Sequence, residues 1–434
     1  MGLGIGADSE TGCLRTALMH RPGRELSRIT PRTRDLLRMP ALPWVARAQH
    51  EHDLLADALR DHGVEVLYLT GLLQDVLEYE AARAEAIASA LGNAELGGEL
   101  AAALRGHLEG LGPEDLAVTL TGGLATDELK AGHGLVYDLL DPRDFVLEPL
   151  PNLVFSRDGS TWAGDQAITG TLPGPRRRES DLIATIYGHH PRFAGVSQLR
   201  AQDSPLHCGD MVLLGPGVVA AGVGARTTAA SVELLARRLL DVGSATHVLV
   251  IPTAERAKDK TFDQVCSVLA PGVVLMNPAH AFTLTALTIT GRSGELTISR
   301  PRPFLEAAAR ALGIDQLTAI GTGIESAQWD DGGNTLAIGD GQLICDERNS
   351  ETNARLAGAG FRVTTVPGGE LGGIRGGPRA MCVPLLRDPL TTAGHRENPA
   401  TISNEHTIPP SAGMPLPSLA VSDGELAPAG ASER

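Results

Sequence analysis

The sequence predicts an α/β protein built from repeated ββαβ units that pack in a ring about a central axis. Two stretches support this prediction, because 210–251 and 335–366 each read as a hairpin, a helix and a further strand. A third observation is a strand, helix and strand near the start, at 14–69. In such a ring, strand ends and loops converge, and we expect a polar site at that place.

The first unit begins with Leu14–His20, whose apolar and polar residues alternate as in a half-buried strand before a Pro-Gly turn. Apolar residues at helical spacing then predict a helix over Val45–Arg60, which Gly63 ends. A second strand is expected at Val64–Leu69. We assign residues 1–71 to this first unit.

The stretch 72–140 is predicted to be a helical insertion, because Ala, Leu, Glu and Arg dominate it and glycines interrupt it. The remaining units are assigned to 141–390. Beyond residue 390 the chain is rich in Pro, Ser, Ala, Gly and acidic residues without apolar periodicity, so we predict a disordered tail at 391–434.

The two repeated stretches give the most detailed predictions. In the first, strands flank a Gly-Pro-Gly turn within 210–222, and a Thr-capped helix over 227–240 and a strand over 246–251 follow. The second has a hairpin over 335–345, a helix over 349–359 and a strand over 362–366.

Composition and charge exclude several classes of partner. The chain has 434 residues, 42% hydrophobic and 21% charged, which suffices for a full core in one large or two modest domains. Its 52 acidic and 37 basic residues give a net charge of -15, which repels nucleic acid backbones and anionic membranes. Only 3% of residues are aromatic, which also disfavours base stacking. We expect neither nucleic acid nor a membrane as a partner.

The start of the chain and its cysteines predict a cytoplasmic protein. Met1–Asp8 lacks the basic and apolar regions of an export signal, and we interpret it as a flexible leader. No apolar run approaches the roughly 20 residues that span a bilayer. The five cysteines are scattered, without the spacing of a zinc site or redox pair, so we expect no metal and no cofactor.

Polar residues cluster at breaks after apolar runs, where functional side chains tend to lie. The clusters are at 152–158, 207–210, 226, 258–263 and 375–382. For the first, the alternative is a solvated turn with an ion pair between Arg157 and Asp158. In the second, neighbouring strand residues point to opposite faces, so a packed Cys208 and a hydrogen-bonded His207 are favoured over a catalytic pair.

Two glycine-containing segments can each be interpreted either as a functional site or as ordinary loop structure. The loop Arg375–Cys382 carries arginines around glycines and could hold an anion with backbone donors and guanidinium groups. The segment Gln328–Thr335 contains paired carboxylates, but its Asp-Gly-Gly sequence is also ordinary turn chemistry, and the structural interpretation is favoured.

Taken in order, these segments resemble the arginine deiminase family, guanidine-modifying enzymes with the pentein fold, an α/β propeller of five ββαβ units. The resemblance extends from about Asp8 to Leu390. The motifs that carry it are Leu18–Gly23, Trp44–Asp53, Pro151–Asp158, Gln328–Asn349 and Arg375–Arg379. The resemblance implies attack of a cysteine thiolate on the guanidinium carbon, proton relay by a histidine, carboxylates that hold the nitrogens, and release of ammonia and citrulline.

The sequence departs from the family pattern at three catalytic positions. Ala380 stands where the resemblance places the nucleophilic cysteine, and Cys382 follows two residues later. Thr261 stands at the position of the proton-relaying histidine, and His207 replaces one glutamate that grips the guanidinium. The usual cysteine chemistry is therefore not expected.

The resemblance also implies which binding residues are retained. Asp158 and Asp263 match the remaining carboxylates, and Asn152 and Phe155 match residues of the site wall. The arginines that match those holding a substrate α-carboxylate, or shaping the loop, are Arg176, Arg226 and Arg375.

Three functions stay open at this point. The first is binding of arginine or a related guanidino compound without cysteine-dependent deimination. The second is altered chemistry on such a compound, with Asp158, His207 and Asp263 as acid and base groups. The third is deimination with a displaced Cys208 or Cys382. Family members often form dimers or tetramers, so the resemblance also implies a possible homo-oligomer.

Overall fold

The computed structural model describes residues 5–37, 39–92, 96–130, 132–200, 204–253, 260–292, 295–323, 333–372 and 376–390. The predicted tail at 391–434 lies outside these residues. Within them, no helix is long and apolar enough to cross a bilayer.

Five sets of three strands share one arrangement, in which two strands pair antiparallel and the third pairs parallel with the second. The sets are unit 1 (Val383–Arg387, Leu14–Met19, Glu65–Tyr68), unit 2 (Ser160–Ala163, Gln166–Thr169, Ser197–Arg200), unit 3 (Met211–Gly215, Val218–Val223, His247–Pro252), unit 4 (Cys266–Ala270, Val273–Met276, Thr318–Gly321) and unit 5 (Leu336–Gly339, Gln342–Asp346, Arg362–Val366).

A helix connects the second and third strands of each unit, as parallel strands require. In unit order these helices are Val45–Asp61, Arg177–His189, Ala229–Val242, Phe304–Leu312 and Ser350–Gly358. The predicted α/β ring of five ββαβ units is thereby confirmed. The strands and helices predicted in the two repeated stretches are also confirmed, with ends that shift by one or two residues.

The first strands of the units lie side by side around the axis. The strand Cys266–Ala270 contacts both Met211–Gly215 and Leu336–Gly339, and Val383–Arg387 contacts Ser160–Ala163.

The helix that connects the second and third strands of each unit packs an apolar face on that unit. In Ala229–Val242, for example, the buried residues Val232, Leu235, Ala236, Leu239 and Leu240 recur at helical spacing.

The N-terminal segment closes the ring, so the interpretation of Met1–Asp8 as a flexible leader is wrong from residue 5 onward. Gly6 N donates to Leu385 O at 2.8 Å, and Ala7 N donates to Gly164 O at 2.9 Å. These bonds join units 1 and 2. The sequence contained no strand pattern there because the pairing consists of isolated bridges rather than a continuous strand.

Helices occupy most of the chain between units 1 and 2, as the composition of that stretch predicts. They are Leu69–Val76, Glu80–Ala90, Gly97–Glu109, Pro113–Gly122 and Leu135–Leu139. The first two pack against the unit 2 helix Arg177–His189. Two short strands, Leu124–Ala125 and Phe145–Leu147, pair antiparallel beside them. The limits of this insertion as a separate domain stay a prediction.

Further short elements complete the fold. The hairpin Thr285–Arg292 and Glu295–Ile298 extends the unit 3 sheet beyond His247–Pro252, and Arg302–Pro303 pairs with its first strand. The remaining short helices are Arg24–Ser27, Ser156–Gly159, Phe262–Val265 and Pro278–Ala281, and the 3₁₀ turns are Thr126–Glu128, Pro151–Val154, Gly174–Arg176, Pro191–Phe193 and Cys208–Asp210.

Candidate functional site

The segments that precede the first strand of each unit converge at one end of the ring. Each segment contributes one residue that the following paragraphs describe. In the order of units 1 to 5, these residues are Ala380, Asp158, His207, Asp263 and Asn334. Direct bonds connect the segments, because Arg157 N donates to Ala380 O at 3.1 Å and Ala380 N donates to Asn334 Oδ1 at 2.9 Å. The predicted convergence of strand ends is therefore present, and the repeat of the fold produces it.

Asp158 and His207 form a carboxylate–imidazole pair at this end. His207 Nε2 lies 3.4 Å from Asp158 Oδ2, with side chains 4% and 16% exposed, respectively. His207 Nδ1 accepts a bond of 3.2 Å from Gly209 N, so the neutral ring carries its proton on Nε2 and directs it toward Asp158. A Cβ at Gly209 would lie 3.1 Å from the His207 ring, so the glycine allows this close approach.

Arg176 bridges Asp158 and Glu179. Its Nη2 donates to Asp158 Oδ2 at 2.9 Å and to Glu179 Oε2 at 2.9 Å, and its Nε lies 3.1 Å from both Glu179 oxygens. Burial alone would raise the pKa of Asp158, but His207 and Arg176 outweigh it and hold that pKa well below its usual range. Asp158 is therefore a carboxylate that already binds one of the chain's own guanidinium groups.

Asp263 lies deeper and has both oxygens occupied. Arg379 Nη1 donates to Asp263 Oδ2 at 2.7 Å, and Thr261 Oγ1 donates to Asp263 Oδ1. Burial raises the pKa of Asp263, and Arg379 and Thr261 oppose the rise without cancelling it. Thr261 also stands at the N-cap of the turn Phe262–Val265, where threonine is a favoured residue.

A buried network of charges continues from Asp263 along the axis. Arg379 Nη2 donates to Glu10 Oε1 at 3.0 Å, and Arg157 Nη2 donates to the same oxygen. Burial would raise the pKa of Glu10, but Arg157, Arg379 and Arg387 lower it to about 2. The alternative of an ion pair between Arg157 and Asp158 is wrong, because Arg157 is buried and turns toward Glu10 while Asp158 pairs with Arg176.

Asp210, next to His207, is also buried and serves the local structure. Its Oδ2 accepts from Thr227 Oγ1 at 2.6 Å and its Oδ1 accepts from Phe262 N at 2.9 Å. The bond from Phe262 N joins the segment of His207 in unit 3 to the segment of Asp263 in unit 4, whereas the bond from Thr227 lies within unit 3.

Ala380 is buried, and its backbone is fixed on both sides. Its N–H is bound by Asn334 and its C=O by Arg157, as given above, so the only group that it offers is a methyl. The preceding loop passes over Phe155, because a Cβ at Gly376 would lie 2.0 Å from the Phe155 ring. Arg375 lies outside the described residues.

The other predicted binding residues lie near this end with different exposure. Phe155 is buried at the N-cap of the turn that holds Asp158, and Asn152 is half-buried one turn earlier. Arg226 is half-buried in the bend after the second strand of unit 3. Their roles stay predictions.

The cysteines considered as displaced nucleophiles are buried. Cys208 Sγ donates to Ile168 O at 3.7 Å, and burial raises its pKa far above the usual range. Burial likewise raises the pKa of Cys382 to about 11. Burial therefore disfavours the thiolate form of both cysteines at neutral pH.

Sequence reasoning assigned no role at this end to Glu10 or Asn334, and it considered Arg379 only as part of the loop Arg375–Cys382 that could hold an anion. Glu10 fell in the supposed leader, and Asn334 fell in a segment interpreted as turn chemistry. Asn334 Nδ2 is buried and has no hydrogen-bond partner among the described residues. The signal that could have identified Arg379 is its place beside Ala380, since a buried arginine requires an acidic partner.

Metal ligation was not expected, and the described residues contain no group of three His, Cys, Asp or Glu side chains that could hold a metal ion.

A ring of five ββαβ units with carboxylates and an imidazole at one end defines the pentein class of α/β propellers. Two solved structures share this fold. One is the amidinotransferase SxtG of the saxitoxin biosynthetic pathway from Microseira wollei, with a TM-score of 0.53, 12% identity and coverage of 89% of this chain and 98% of the other. The other is a cysteine-to-serine variant of DDAH from Pseudomonas aeruginosa complexed with citrulline, with a TM-score of 0.50, 15% identity and coverage of 86% and 99%.

Sequence comparison narrows the class. A profile of the family described as arginine deiminase matches residues 36–387. Arginine deiminase of Mycobacterium marinum is 47% identical over 397 residues, which cover 89% of this chain and 99% of that protein. Arginine deiminase of Mycobacterium tuberculosis strain H37Rv is 46% identical over 402 residues, covering 90% and 100%. The chain belongs to the arginine deiminase family.

Proposed function

We propose that this protein binds arginine or a related guanidino compound at the Asp158 end of the ring and does not deiminate it by the cysteine route. The observation that carries this proposal is Ala380. A methyl group has no lone pair to attack a guanidinium carbon, and hydrogen bonds to Asn334 and Arg157 fix the backbone at this residue.

Binding is proposed to proceed by exchange of ion-pair partners. In the free protein Arg176 forms an ion pair with Asp158, with 2.9 Å between Nη2 and Oδ2. A guanidinium ligand that takes this carboxylate releases Arg176, which can then pair with the ligand's α-carboxylate. Asp158 and Arg176 each keep a partner of opposite charge after the exchange, so it need not strand a buried charge.

Glu179 supports this exchange because it holds Arg176 independently of Asp158. Its side chain is 2% exposed and accepts from Arg176 Nη2 at 2.9 Å. Burial raises the pKa of Glu179, and Arg176 opposes that rise. Arg176 can thus leave Asp158 while it keeps one acidic partner and stays near the ligand.

A second candidate is altered chemistry on the same class of ligand. The contact between His207 and Asp158 favours it, because a carboxylate that orients an imidazole is an arrangement used for general acid–base catalysis. Asp263 supports this role less well, since both of its oxygens are hydrogen-bonded. The displaced-cysteine alternative has the least support, given the burial of Cys208 and Cys382.

The decisive experiment combines calorimetric titration with mass spectrometry of the same incubation, using arginine and a small panel of guanidino compounds. Binding without product is expected. Citrulline would overturn the exclusion of deimination, and any other product would establish the second candidate.

The binding site is tested by Asp158→Asn, which should abolish guanidinium binding. The matched control is Asp165→Asn, which makes the same change at an exposed turn of unit 2 between its first two strands. Undiminished affinity in Asp158→Asn would place the ligand elsewhere.

We further propose a cytoplasmic location and a homo-oligomer. All five cysteines are free thiols, which fits a reducing compartment. Light scattering coupled to size-exclusion chromatography tests the oligomer, and a monomeric mass would contradict it.

A further inference from the structure

A large cavity lies between the helices of 69–139 and the start of the unit 2 helix. Its volume is about 810 Å³, within the roughly 300–1,000 Å³ of small-molecule sites. Apolar side chains form one part of its wall, including Leu96, Leu100, Val136, Leu140 and Val146, and polar groups form the rest. None of the carboxylates or the imidazole of the Asp158 end lines it.

Arg178 is the notable polar residue of this wall, because it is only 8% exposed. Its guanidinium donates to two backbone carbonyls, Leu120 O at 3.4 Å and Glu148 O. Among the described residues no carboxylate forms an ion pair with it. Burial lowers the pKa of Arg178 to about 10, and Glu148, Glu179 and Asp181 offset this effect only in part.

The two acidic residues of the wall, Glu148 and Asp181, offset the buried charge of Arg178 only in part. Asp181 is committed to Arg200 by an ion pair and accepts from Ser89 Oγ at 2.7 Å. A buried cation with carbonyl partners alone is costly, and an anion beside it would recover that cost. The cavity therefore places the cationic side chain of Arg178 on the same wall as the apolar side chains named above.

We propose that this cavity binds an amphipathic anion, a small carboxylate with an apolar chain, whose anionic group pairs with Arg178. The apolar chain lies against Leu100 and Val136. The charge complementarity selects an anion over a neutral or cationic molecule of the same shape, because only an anion compensates the arginine.

The cavity and the Asp158 end are distinct sites that share one turn. Gly174, Pro175, Arg177 and Arg178 line the cavity, whereas Arg176 between them reaches Asp158. The turn therefore presents its side chains to both sites. The proposal does not depend on the ligand of the Asp158 end.

Calorimetric titration of the full chain with octanoate tests the proposal, with octylammonium and octanol as probes of equal chain length and different charge. Octanoate is expected to bind and the other two to bind at least about tenfold more weakly, the factor typical of a lost charge-assisted bond. Failure of octanoate to bind, or equal binding of octylammonium, would overturn the proposal.

Two variants locate the binding. Val136→Trp fills the cavity from the short helix Leu135–Leu139 and should abolish octanoate binding, whereas Leu139→Trp on the same helix is the control, because Leu139 is 76% exposed. Arg178→Gln should weaken octanoate binding by about tenfold and leave octanol binding unchanged. Octanoate binding that survives Val136→Trp would contradict the assignment even if Arg178→Gln does not fold.

Discussion

Arg379 Nη1 lies 2.7 Å from Asp263 Oδ2, so this carboxylate, which the family resemblance assigns to a guanidinium ligand, already holds a guanidinium of the chain itself. Arg379 also reaches Glu10, and both acidic side chains are buried. The arginine is thus the common partner of two buried carboxylates. This arrangement leaves Asp158 as the more open carboxylate of the two that the resemblance retains.

Arg379→Met should destabilise the protein by about 3–5 kcal/mol, because it strands the buried carboxylate of Asp263 without its cation and leaves Glu10 with Arg157 as its direct partner. Urea unfolding measures the effect. Arg379→Lys should recover little of the loss, since an ammonium cannot span both partners as the guanidinium does.

The control for this prediction is Arg15→Met. Arg15 pairs with Asp388 at the surface, with side chains 54% and 44% exposed, so its removal should cause no resolvable change in unfolding. If Arg379→Met and the unchanged protein had a similar free energy of unfolding, the charges of Arg379, Glu10 and Asp263 would have to be solvated.

Arg176→Gln should remove the preference for arginine over agmatine, which has a guanidinium group but no carboxylate. If Arg176 exchanges Asp158 for the ligand's carboxylate, the unchanged protein should bind arginine about tenfold or more tightly than agmatine. Calorimetric titration with both ligands measures this ratio. Arg177→Gln makes the same charge change one residue later and should preserve it; loss of the preference in both variants would point to net charge rather than to a specific pair.

The sequence predicted the ring and its polar end because both depend on local patterns. Alternating strands, capped helices and turns recur in the order that the structure contains, and the residues before each first strand meet by the symmetry of the repeat. The family resemblance, rather than these local patterns, named Asp158 and His207 as candidate site residues. Their common position before the axial strands makes them neighbours across 49 positions of sequence.

The partners of these residues could not be predicted, because they depend on contacts between segments far apart in the chain. Glu10 and Arg379 are separated by 369 positions and meet only when the ring closes. No periodicity marks Glu10 as buried, since it precedes the first strand of the chain. The sequence identified Asp263 as a candidate carboxylate of the site. It did not show that Thr261 and Arg379 would occupy both of its oxygens.

The buried thiols should resist alkylation in the native protein at pH 8. Burial raises the pKa of Cys382 to about 11 and of Cys266 and Cys345 to about 12, and that of Cys208 further still. Cys13 is the half-buried exception and should react first.

Mass spectrometry after brief iodoacetamide treatment counts the modified thiols, and the same treatment in denaturant should modify all five. Cys13→Ser should leave almost no rapid modification. Rapid labelling of Cys382 in that variant would revive the displaced-nucleophile alternative, and Cys382→Ser should otherwise leave any turnover unchanged.

His52 should make the protein sensitive to mild acid. Its ring is buried and both nitrogens lack a hydrogen-bond partner among the described residues. Burial, aided by His20, Arg21 and Arg60 and opposed by Asp53, lowers the pKa of His52 to about 3 from 6.5. Between these values the unfolded chain binds a proton that the folded protein does not, so stability falls as the pH decreases from 6.5 toward 3, by up to about 1.4 kcal/mol for each pH unit.

His52→Leu removes this proton-binding difference while it keeps a side chain of similar bulk in an apolar setting. Urea unfolding of both proteins at pH 7 and pH 5 isolates the contribution of His52, because carboxylates such as Glu10, whose pKa is lowered to about 2, titrate equally in the two. The variant should gain about 2 kcal/mol relative to the unchanged protein between pH 7 and pH 5. An equal loss of stability in both proteins would show that His52 takes up a proton in the folded state, which would require water or an acidic group beside the ring.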